Sequence, residues 1–230
     1  FFWSMGKAFG WSRKLTGCLI LTAGLGNTSF IGFPVIEALY GPEGLKTAIL
    51  IDQPGSFFIL STVGIAVAAA FSKGTTSLQA IVKKISTFPP FFTFVLAILL
   101  NLLDLHFSDD LKEVFQRLGS TVTPLALVSV GMQLRIERQS KHWKFLALGL
   151  TYQLILAPLL IYTLYVGLLG LRGEIVQISI VEAAMAPMIT ACIVAATYGL
   201  KPKLANMMIG FGIPISFITL AFWYWFVQGI

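Results

Sequence analysis

Long apolar runs separated by short basic connections set the pattern of this chain. A helix needs about 20 apolar residues to cross a bilayer. On that measure residues 15–40, 45–71, 88–106, 111–134, 143–170, 174–199 and 203–228 predict seven spans, and Phe1 to Trp11 predicts the tail of one more. Tyr40-Gly41-Pro42 reads as a helix stop, and Pro89-Pro90 as a start, because proline suits a first turn and cannot continue a helix already under way. The runs are continuous rather than alternating, unlike the strands of a transmembrane barrel.

One run breaks its own pattern. Asn27-Thr28-Ser29-Phe30-Ile31-Gly32-Phe33-Pro34 places an amide, two hydroxyls, a glycine and a proline near the middle of residues 15–40. Polar side chains and a helix breaker at bilayer depth are costly unless they line a cavity or bind something. The stretch therefore predicts a broken transmembrane helix. The run 174–199 predicts a second, with Pro187 near its middle, and both runs end in Tyr-Gly (Tyr40-Gly41, Tyr198-Gly199).

Charge orients these elements. Twelve of the sixteen Lys and Arg residues fall in every second connection: Lys7, Arg13, Lys14; Lys73, Lys83, Lys84; Arg135, Arg138, Lys141, Lys144; Lys201, Lys203. The positive-inside rule puts that set in the cytoplasm and the C-terminus outside. The two broken runs then point in opposite directions, which predicts an inverted repeat. Residues 1–71 would be the remainder of the first repeat, 72–87 a cytoplasmic linker and 88–230 the second repeat. The first repeat is incomplete on this reading. The chain opens on Phe1 partway through a helix, so it reads as lacking its N-terminal part, with ten spans in the intact protein.

Composition agrees with a polytopic all-α membrane protein: 57% apolar, 11% charged, mean hydropathy +0.85, far from any soluble domain of this size. The net charge of +6 does not indicate nucleic acid, because the charges sit in the connections. Cys18 and Cys192 lie in apolar runs and read as packing residues. His106 with Asp104, Asp109 and Asp110 reads as a solvated outer loop, not a metal site. No metalloprotease, nucleophile-elbow or phosphate-loop signature is present, so neither an enzyme nor a cofactor is expected. Trp3, Trp11, Trp143, Trp223 and Trp225 fall near predicted helix ends, as an aromatic belt at the lipid interface would.

The candidate chemistry follows from the breaks. A helix restarting at mid-membrane presents N–H groups carrying roughly +0.5 of a charge, and two such ends near Pro34 and Pro187 would attract an anion. Asn27, Thr28 and Ser29 add donors and acceptors on one helix, and Thr190 does so on the other. Asp52 and Gln53 lie about seven residues into their span, and Glu182 about eight into its own. A carboxylate there is a candidate for proton coupling or for setting substrate polarity. Gln153, Gln177 and Asn206 read as hydrogen bonds between helices.

These motifs resemble the auxin efflux carrier family. Gly26 to Pro34 with Leu39-Tyr40-Gly41 is similar to its first crossover helix, and Thr123-Pro124-Leu125-Ala126-Leu127 with Gly131 to its helix seven. Glu182 to Thr190 with Tyr198-Gly199-Leu200 is similar to its second crossover. The likeness covers nearly the whole chain and leans toward bacterial permeases for malate, malonate and similar organic anions. It implies two inverted five-helix repeats like those of bile-acid sodium symporters, with crossing broken helices and an elevator-type motion. It maps the substrate site to Asn27 through Pro34 and to Pro187, Met188 and Thr190. Many members carry a lysine five residues before the helix-eight proline, where this chain has Gln153 ahead of Pro158.

The expected function is a secondary carrier of a small organic anion in the inner membrane, in contact with lipid and without nucleic acid. A homodimer stays open. The alternatives are a sodium-coupled symporter of the bile-acid type and a seven-helix receptor or sensor.

Overall fold

The computed structural model describes residues 1–72, 79, 89–105, 107–121, 124–125, 128, 132 and 141–230. The Thr123–Gly131 motif, His106 and the basic residues Lys73, Lys83, Lys84, Arg135 and Arg138 fall wholly or mostly outside them. The described residues are helical, joined by a single isolated β-bridge. They form α1 (Phe2–Ala8), α2 (Arg13–Gly24), α3 (Gly32–Ile51), α4 (Ile65–Phe71), α5 (Pro89–Leu102) and α6 (Asp109–Ser120). These are followed by α7 (Trp143–Thr151), α8 (Ala157–Tyr162), α9 (Glu174–Ala183), α10 (Ile189–Thr197) and α11 (Pro202–Val227).

Among the described residues, three helical stretches are long and apolar enough to cross a membrane: Gly32–Phe71, Trp143–Leu168 and Pro202–Val227. The first is bent at Gly41, whose φ of 72° and ψ of −171° end one helix and let Pro42 start the next. Residue 199 repeats the device: Gly199 has φ 68° after α10, and Pro202 then opens α11. Only glycine takes such angles without a steric penalty, which explains why both Tyr-Gly pairs mark stops.

Two long stretches pass through wide turns of π-helix. Asp52–Phe57 and Leu60–Gly64 link α3 to α4, and Tyr152–Leu156 links α7 to α8. Pro54 and Pro158 explain two of them, since a proline removes one N–H and its ring needs room in the preceding turn. Pro158 would strand the carbonyl of Leu154; the indole Nε1 of Trp223 donates to it at 2.9 Å. Trp223 is therefore a buried structural donor rather than a member of an interfacial belt, and Trp225, 73% exposed, is the residue that faces outward.

The core lies where α2, α9, α10 and α11 meet, around Leu19, Ile178, Ile180, Met185, Met207 and Met208. α2 packs on α10, and α3 on α9. Gly212 lets α11 come close, since a Cβ there would stand 2.6 Å from Pro187 Cδ. Gln177 donates to Ile230 O at 3.2 Å, whereas Asn206 is exposed and does not act as an inter-helix tie. The predicted span 111–134 starts within α6, a charged and exposed amphipathic helix, so its first ten residues, 111–120, are not an apolar run. The basic connections converge on one end. Arg13 donates to Ala70 O at 2.6 Å, Lys14 Nζ lies near Gly199, and His142 is within electrostatic reach of Lys201 and Lys203.

Candidate solute cavity at a helix crossing

The chain leaves helical geometry twice in its buried centre, at 25–31 and at 184–188. The two irregular stretches lie antiparallel against each other, with Gly26 opposite Pro187. Asn27 N donates to Ala186 O at 2.8 Å, and Met188 N donates to Leu25 O at 3.0 Å. Each stretch thereby satisfies backbone groups of the other that a membrane interior would leave unpaired. Pro34 is the third residue of α3, inside its first turn, where its missing N–H costs nothing. Pro187 instead belongs to the extended pairing itself, two residues before α10 begins.

Asn27 shapes the first stretch. It is fully buried, its Oδ1 accepts from Phe30 N at 3.1 Å, and its backbone carbonyl accepts from Gly32 N at 3.0 Å. Its Nδ2 has no hydrogen-bond partner. Thr28 Oγ1 donates to Asp52 Oδ1 at 2.5 Å, and Gln53 Nε2 donates to Asp52 Oδ2 at 2.9 Å. The π turn at Asp52–Phe57 brings this pair beneath the crossing. Ser29 is half-buried and closes the turn by accepting from Phe33 N at 3.1 Å. On the other side, Met188 packs with Leu60 and Ala191 in a small apolar cluster. Thr190 is half-buried in the first turn of α10.

Beside the crossing is a cavity of about 360 Å³, within the range that encloses small organic ligands. Of the candidates read from sequence, Thr28 and Glu182 line it; Asn27, Ser29, Pro34, Asp52, Gln53, Pro187, Met188 and Thr190 do not. Ser56, Tyr152, Gln153, Tyr165 and Ser179 also line it. Gln153 reads from the sequence as a hydrogen bond between helices and as the place of the family's lysine; the other four carry no such signal. The signal available for Gln153 was its place ahead of Pro158.

Gln153 ties the two breaks together. It is buried, and its Nε2 donates to Leu25 O at 3.1 Å and to Met185 O at 3.3 Å. That fixes the orientation of the amide, since a flipped oxygen would face two carbonyls. Its Oε1 is left without a partner, as are both carboxylate oxygens of Glu182, which is 1% exposed. Gly32 makes room for Glu182: a Cβ there would stand 2.7 Å from Oε2 and 2.9 Å from Oε1. None of the described residues lining the cavity is Lys, Arg or His.

Long apolar helices around a mostly apolar cavity that carries a few polar side chains fit a membrane transport protein. Residues 1–224 match the family described as "Membrane transport protein", and the chain belongs to it. It is 29% identical over 218 residues to an uncharacterized transporter of Methanocaldococcus jannaschii, covering 93% of this chain and 68% of that protein. It is 28% identical over 225 residues to an uncharacterized transporter of Methanothermobacter thermautotrophicus, covering 94% of this chain and 72% of that one. A probable auxin efflux carrier component 5a of Oryza sativa is 26% identical over 161 residues, covering 66% of this chain and 44% of that one. The family favours transport over the receptor alternative.

Proposed function

We propose that this chain forms the solute-handling part of a secondary transporter that moves a small organic acid by alternating access. The observation that carries the reading is the antiparallel pairing of Gly26 with Pro187 beside a cavity that Thr28, Gln153 and Glu182 line. Broken helices at the centre of a repeat are where transporters of inverted design hold solute. Asn27 Nδ2 supplies an unused donor near the crossing, and Pro34, Pro187, Met188 and Thr190 set the geometry of the two restarting helices. Ser29 and Gln53 support Thr28 and Asp52. Rocking of one helical bundle against the other would open the cavity to either side.

The gathering of basic connections at one end supports an inner-membrane topology with that end in the cytoplasm and the C-terminus outside. An anion leaving a cell gains about 2.3 kcal/mol per charge per 100 mV, so export runs on potential alone and uptake needs a coupled ion. The test is uptake of labelled malate, malonate and indole-3-acetate into proteoliposomes of the full-length protein. At least one should enter faster than into empty vesicles, and Asn27→Ala should cut that entry. Entry untouched by Asn27→Ala overturns the assignment of the site.

A further inference from the structure

Two carboxylates are buried near the crossing, and they differ in their surroundings. Asp52 has a donor on each oxygen, Thr28 Oγ1 and Gln53 Nε2. Glu182 has none on either, lines the cavity and rests against Gly32. An unpaired carboxylate out of water costs several kcal/mol, so a site of this kind is completed by a positive ligand. We propose that Glu182, and not Asp52, carries a proton that travels with the solute.

The donor and acceptor inventory points to one proton. Near the crossing the unused groups are three acceptors, Glu182 Oε1, Glu182 Oε2 and Gln153 Oε1, and one donor, Asn27 Nδ2. Protonating Glu182 turns one acceptor into a donor and leaves two of each. The surroundings supply no competing cation among the described residues. Tyr152 and Tyr165 share the cavity, and Asp52 is the other carboxylate in electrostatic reach. Of the elements packed on α9, α3 carries Glu37, Tyr40, Glu43 and Lys46, with the last two paired at 2.7 Å on the surface. α8 carries only Tyr162, and α11 carries Lys203 in its first turn and Tyr224 against Tyr40. In the step itself, the Glu182 carboxylate accepts a proton from water while the cavity opens to the acidic side. The neutral acid crosses beside the solute and returns the proton to water on the other side.

The inference rests on the cavity being the solute site, so the experiment has two arms. In the first, proteoliposomes hold the full-length protein with the membrane potential clamped at zero and an inward gradient of one pH unit. One coupled proton allows about tenfold accumulation of labelled malonate. The accumulation ratio is an equilibrium quantity and does not depend on how fast a variant works. The expected ratio is near ten for the parent protein and for Asp52→Asn, and near one for Glu182→Gln. A ratio that stays near ten in Glu182→Gln, or accumulation driven by a sodium gradient instead, overturns the proposal. The second arm needs no transport: an infrared difference spectrum between acid and alkaline conditions should show a buried carboxylic-acid carbonyl band. Glu182→Gln should remove it, Asp52→Asn should leave it, and Glu182→Asp should shift it. A spectrum without a band sensitive to Glu182→Gln overturns the proton site. A band that behaves as expected, with no malonate movement, upholds it and counts against malonate as the solute.

Discussion

Asp52 and Glu182 have the same chemistry and nearly the same burial, 1% exposed each, yet their neighbours differ. Asp52 sits in a π turn where Thr28 and Gln53 reach both its oxygens. Glu182 lies in the last turn of α9 at the edge of the second break, against Gly32 and lining the cavity. Burial alone therefore says little about what a membrane carboxylate does. The carboxylate with fixed donors holds the first break to the helix that follows it. The one without them makes no such tie.

The difference is open to substitution. Asp52→Ala strands two donors, each worth about 1–3 kcal/mol, and should give the largest loss of stability, about 2–5 kcal/mol. For a chain of this size each kcal/mol lowers the thermal midpoint by about 2–4 °C, readable in detergent. Gln153→Leu removes both side-chain hydrogen bonds that Gln153 makes to the breaks and should cost about 1–3 kcal/mol by the same readout. Gly212→Ala presses a methyl onto Pro187 and should cost about 1–3 kcal/mol, with uptake falling because the crossing is displaced. Glu182→Gln should have the smallest effect on stability, within about 1 kcal/mol or a slight gain, because it removes an unpaired charge. If Glu182→Gln destabilised the protein more than Asp52→Ala, the contrast between the two carboxylates would be gone.

Much of this arrangement is legible in the chain. Asn27, Thr28 and Ser29 cannot sit in an apolar helix without a purpose, and the first interruption falls on them. The Tyr-Gly pairs mark stops because Gly41 and Gly199 take positive φ. The second interruption is harder to read: Ala184, Met185, Ala186 and Met188 are apolar, and only Pro187 signals it. The π turns leave no periodic trace, so only its place ahead of Pro158 marks Gln153, and Trp223 passes for an interfacial residue. The role of Trp223 follows from Pro158: the Leu154 carbonyl, which this proline leaves without its helical N–H, is answered by a side chain 69 positions along the chain.

The cavity's role is tested most directly by a cysteine at Ser179, which lines it on α9. Cys18 and Cys192 of this chain are buried and should not compete for a membrane-impermeant thiosulfonate. Once Ser179→Cys has reacted, entry of labelled malonate into proteoliposomes should stop, and excess malonate should slow the reaction. Complete reaction with undiminished entry, and no protection by malonate, would contradict the account.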